Sequence, residues 1–91
     1  MSIEELRRKA IQLGATEFGL SRVKNKRFYV IYEGKRINFG LYGGRTFIDH
    51  RDQKKRAAWR ARHTKIKLKD GTPAYLNKNQ AAYWAFAILW P

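Results

Sequence analysis

Residues 27–41 constrain the fold more than any other stretch. Arg27-Phe28-Tyr29-Val30-Ile31-Tyr32 is a run of aromatic and β-branched residues, which suits a pleated, half-buried surface. Glu33-Gly34-Lys35 supplies a tight turn. Arg36-Ile37-Asn38-Phe39-Gly40-Leu41 then alternates polar and apolar, as a return strand with one buried face does. The pair reads as an antiparallel hairpin ended by Gly43-Gly44. A 91-residue chain has room for one domain with a modest core. The expected fold class is α+β: a small antiparallel sheet centred on this hairpin, with two or three packed helices.

Other elements follow from local signals. Ser2 and Glu5 form a capping box, and Ile3, Leu6, Ala10 and Leu13 recur at helical spacing before Gly14. This predicts a helix over 3–13, with Arg7, Arg8 and Lys9 outside. Phe18 to Val23 suits a short strand. Thr46-Phe47-Ile48 suits either a third short strand or the lead into a helix. Asp49 through His63 contains no glycine or proline, and its propensity predicts one helix. Ile66 to Lys69 reads as a short strand or loop, and Asp70-Gly71-Thr72-Pro73 as a turn. Asn77 and Gln80 repeat the capping pattern, placing a last helix over 78–90.

Charge narrows the function classes. Twenty Lys and Arg against seven Asp and Glu give a formal net charge of +13. Aromatics make up 14% of the chain, so it has the material to fold and is no basic tail. Self-repulsion on that scale is most simply offset by a polyanion, and nucleic acid is the commonest one. The cationic side chains concentrate at Arg45, Arg51, Lys54, Lys55, Arg56, Arg60, Arg62, Lys65, Lys67 and Lys69. On a helix, Ala57 and Ala61 share a narrow edge, which is expected to press on the core while the basic girth faces a partner. These ten residues are the candidate nucleic-acid contacts, reading phosphates rather than bases, with DNA favoured over RNA. Trp59 is expected to pack under a neighbouring element rather than stack on a base.

Gln80 to Pro91 carries no charged side chain. A helix apolar nearly all round is buried on most sides. It is either the central core helix or an interface through Tyr83, Trp84, Phe86 and Trp90, to a second copy or to a capsid or core protein.

Chemistry-bearing motifs do not assemble. His50-Arg51-Asp52 spells a kinase tripeptide in a chain far too short for a kinase. His50, His63, Asp49 and Asp52 match no metal-ligand spacing and sit among cations, so no metal is expected. Gly40, Gly43 and Gly44 lack the Gly-Lys-Ser/Thr of a P-loop. No catalytic residue and no cofactor is expected. The chain has no cysteine, the Met-Ser-Ile-Glu-Glu-Leu start lacks the layout of a signal peptide, and no run approaches the ~20 apolar residues of a membrane span.

The succession Phe28 to Tyr32, Gly34-Lys35-Arg36, Ile37-Asn38-Phe39-Gly40, Thr46-Phe47-Ile48-Asp49-His50-Arg51-Asp52, Ala61-Arg62-His63 and a Trp-rich apolar end resembles a family of large DNA viruses. Its members are small, basic, largely uncharacterised proteins of nucleocytoplasmic large DNA viruses. The resemblance spans about 27–90. Within a single domain, 1–91, it marks 27–91 as the family-like core and 1–25 as an N-terminal helix and lead-in. It implies a virion or intracellular setting (viral factory, cytoplasm or nucleus) and supplies no catalytic residue.

Overall fold

The computed structural model describes residues 2–91. It is an α+β structure that divides into two compact units, Met1–Gly44 and Arg45–Pro91.

The first unit is a helix and a three-stranded antiparallel meander. Helix α1 spans Ile3–Gln12, and Ser2 Oγ accepts from the Glu5 N–H at its start. Strands β1 (Glu17–Leu20), β2 (Lys26–Tyr32) and β3 (Lys35–Leu41) lie in the order β1-β2-β3. Phe28 pairs with both Leu20 and Phe39, and Val30 with Phe18 and Ile37. Period-2 alternation puts Phe18, Phe28, Val30, Ile37 and Phe39 on one face, where all are buried, as are Leu6 and Ala10 of α1. The three phenylalanines form one ring cluster, with centroids 5.2–6.5 Å apart. Because β1 pairs with β2, the lead-in before residue 26 belongs to the same sheet as the hairpin.

Backbone demands explain two glycines here. Glu33 and Gly34 both take positive φ, 50° and 77°, as the turn that matches strand twist requires. At Gly19 a Cβ would meet the Tyr29 ring at 2.9 Å. That ring lies across β1 on the sheet's outer face, its hydroxyl donating to Glu17 and its face covered by the Arg36 guanidinium at 4.1 Å.

The second unit contains helices α2 (Phe47–His50), α3 (Gln53–His63) and α4 (Ala81–Trp84), with a 3-10 turn at Ala74–Leu76. Thr46 leads into a helix, not a third strand. The helix expected over 49–63 is broken in two. Arg51 takes the left-handed conformation (φ 56°), its N–H closing α2 on the Phe47 carbonyl at 2.9 Å. The Asp52 N–H donates to His50 Nδ1 at 2.9 Å, and the Asp52 carboxylate accepts from the Lys54 and Lys55 amides. A local side-chain cap thus restarts the helix where propensity alone would run it through.

The last helix also starts late. Asn77 Oδ1 accepts from the Asn79 N–H, which makes residues 77–79 a turn, so the helix begins at Ala81 rather than 78. From Ala85 to Leu89 it loosens into a π-turn, and the Trp90 N–H reaches the Ala85 carbonyl five residues back. Leu68 and Thr72 close the turn at Asp70-Gly71 as expected, while 66–69 contributes a single bridge, Lys67 to Pro73, and no full strand.

The Lys55 amide, aided by that of Lys54, holds the Asp52 carboxyl below the ordinary aspartate range. Its folded pKa is depressed, so the stability it lends is present above the unfolded value of about 3.9 and is lost as pH falls through the folded one. Asp52→Asn is expected to keep the cap, since asparagine also accepts there, and to flatten the acid limb of a thermal-midpoint profile below about pH 4.

Candidate nucleic-acid interface

Helix α3 presents two faces, and they are the reverse of the expected ones. Ala57, Ala58 and Ala61 are exposed, together with Gln53, Lys54, Lys55 and Arg62. The half-buried face is Arg56, Trp59, Arg60 and His63. Large side chains displace the alanine edge from the interior because they cover far more apolar area.

The packed face is a column of rings. Trp59 stacks on His63 (3.8 Å, 13°) on one side and on Trp90 (5.0 Å, 9°) on the other, and Trp90 meets His50 at 5.4 Å. Trp59 therefore packs within the unit. Arg56 Nε donates to the Pro91 carbonyl at 2.5 Å, and its guanidinium lies 5.3 Å from the Phe47 ring. Arg60 donates to the Trp90 carbonyl at 3.2 Å and covers Phe86 at 4.2 Å. Both arginines tie the C-terminus to α3. Arg56→Ala and Arg60→Ala are each expected to cost about 1.5–3 kcal/mol, the range for a hydrogen bond to a charged group, seen as a lower denaturant midpoint.

The remaining eight candidates, Arg45, Arg51, Lys54, Lys55, Arg62, Lys65, Lys67 and Lys69, are all exposed. Lys54, Lys55 and Arg62 share the outward side of α3, Arg51 sits at the kink before it, and Lys65, Lys67 and Lys69 follow it.

The unit has three acidic side chains, and each is bound to the chain itself. Asp49 accepts from the Thr46 N–H (2.8 Å) and hydroxyl (2.9 Å). Asp52 caps α3. Asp70 accepts from the Thr72 hydroxyl (2.6 Å) and amide (3.0 Å), which hold its carboxyl below the usual range. In the other unit Arg7 forms an ion pair with Glu4. The acids of residues 45–91 thus shape turns and caps while keeping their charge, and only three of them stand against eleven Lys and Arg, so the unit keeps a large positive excess.

The C-terminal candidates divide. Trp84 is 0% exposed and Trp90 8%, with Ile88 and Leu89 equally buried, so these tryptophans form core. The Trp84 indole N–H donates to the Lys78 carbonyl at 2.8 Å. Tyr83 and Phe86 are half-buried, and Phe86 packs on Tyr75 at 4.8 Å. Among the described residues no group of His, Asp and Glu is placed to hold a metal ion, and no helix is long and apolar enough to cross a membrane.

Fold and surface define a small basic α+β protein with a one-signed helix face. Residues 16–63, from just before β1 to the end of α3, match the model of a family of unknown function, DUF5754, over more than half of the chain, and the chain belongs to that family. No curated protein matches it, and no solved structure does.

Proposed function

We propose that this chain is a non-enzymatic nucleic-acid-binding protein of low sequence specificity, acting through the outward face of α3 and the basic segment after it. One observation carries the reading: eight exposed cationic side chains lie in a unit that has only three acidic side chains to set against them. Lys54, Lys55 and Arg62 are spread along about two turns of α3, with alanines between them that let a phosphate backbone approach closely. DNA is the favoured polymer, in a virion or intracellular setting. The alternative of a minor capsid protein docking through the C-terminal helix is weakened by the burial of Trp84 and Trp90, which such docking would need at the surface.

The test is binding of the purified chain to duplexes of unrelated sequence across a salt series. The expected result is similar affinity for each, with log K falling linearly against log salt. Indifference to duplex DNA and RNA at low salt overturns the proposal. Tight binding to RNA alone overturns the preference for DNA.

A further inference from the structure

The first unit holds a cleft apart from helix α3. Ser21, Val23, Lys24, Asn25, Lys26 and Tyr42 line a concavity of about 400 Å³ at the end of the sheet where β1 turns into β2 and β3 leaves. Its walls are fixed by hydrogen bonds. The Lys26 N–H closes the turn on the Val23 carbonyl at 3.1 Å, with Asn25 in the left-handed conformation (φ 68°). The Tyr42 N–H donates to the Asn25 carbonyl at 3.0 Å, tying the exit of β3 to that turn. The Ser21 hydroxyl accepts from the Val23 N–H at 3.1 Å and donates to Asn38 Oδ1 at 2.7 Å.

Among the lining residues are an aromatic ring, Tyr42, an apolar side chain, Val23, and two lysines, Lys24 and Lys26. Tyr42 is 76% exposed and Val23 48%. None of the lining residues is acidic. A concave, mostly apolar site with a few fixed polar groups suits a discrete planar ligand. Lysines at its rim select an anionic one.

We infer that this cleft takes one unstacked nucleotide of a single strand, its base against the Tyr42 ring and its phosphates on Lys24 and Lys26. The inference goes beyond duplex binding by α3 and does not rest on it. The experiment uses the full chain carrying Lys54→Ala, Lys55→Ala and Arg62→Ala, so that α3 contributes little. It is titrated with an oligothymidylate of about five nucleotides, an abasic phosphodiester of the same length, thymidine monophosphate and phosphatidylserine vesicles, followed by amide chemical shifts. The oligothymidylate is expected to shift residues 21–26 and 42 and to bind about tenfold more tightly than the abasic strand, the worth of one stacked base. Tyr42→Ala is expected to abolish that advantage and Tyr42→Phe to keep it, while Lys24→Ala with Lys26→Ala weakens both strands. Equal affinity for base-bearing and abasic strands, or an unchanged advantage in Tyr42→Ala, overturns the inference. So does thymidine monophosphate binding as tightly as the strand, which marks a free-nucleotide site, or vesicles alone shifting these residues. Loss of duplex binding by the α3 substitutions with these shifts intact supports two separate sites.

Discussion

Changing Lys54, Lys55, Arg62 and Lys65 together to alanine is expected to cut duplex DNA affinity by at least about tenfold at low salt and to flatten the log K against log salt slope by about three to four. The size follows from counterion release, since each phosphate left without its cation takes about 0.9 from the slope. All four side chains are exposed, so each substitution should move folding stability by no more than about 0.5 kcal/mol. That separation makes the test sharp. Arg56 and Arg60 carry the same charge, yet their guanidiniums bond the Pro91 and Trp90 carbonyls respectively, so their removal should appear first in stability. A quadruple variant that binds with an unchanged salt slope places the interface elsewhere.

The contrast between these two groups of cations marks the limit of what the sequence discloses. Alternation and turn chemistry locate β2, β3 and the turn between them to within a residue, because those signals are local and the structure uses them as they stand. Composition locates the basic segment. Orientation is not legible. On a helix wheel the alanines of α3 form the natural buried edge, and only the ring column from His63 through Trp59 and Trp90 to His50 reveals that a face containing two arginines is the packed one. Trp90 is far along the chain from both Trp59 and His50, and no spacing rule connects them.

The break at Arg51 is hidden for a different reason. Asp49, His50 and Asp52 each bond nearby backbone or hydroxyl groups in preference to continuing the helix, a competition that propensity averages away. The same bonds hold the Asp52 carboxyl in its charged form, beside Lys55. The cleft near Tyr42 leaves a weaker trace, an aromatic beside Gly43-Gly44 at a strand exit, and its other wall comes from the turn between β1 and β2, well back along the chain.

The other large effect belongs to Trp84. Its side chain is fully buried, so Trp84→Ala is expected to cost about 3–5 kcal/mol, the range for emptying an aromatic site in a packed core. Against a total stability of about 5–15 kcal/mol for a domain, that loss should lower the thermal midpoint by roughly 12 °C or more. Trp84→Phe retains most of the volume but gives up the indole N–H bond to the Lys78 carbonyl, and should cost about 1 kcal/mol from that bond plus a small cavity term. The pair of variants also separates the two readings of the apolar C-terminus. A core tryptophan gives this graded loss of midpoint with no change of solution mass. A docking tryptophan would leave the midpoint of the isolated chain nearly untouched in Trp84→Ala and would instead dissolve an oligomer, an outcome that would return Tyr83 and Phe86, both half-buried in the same C-terminal segment, to the position of an interface.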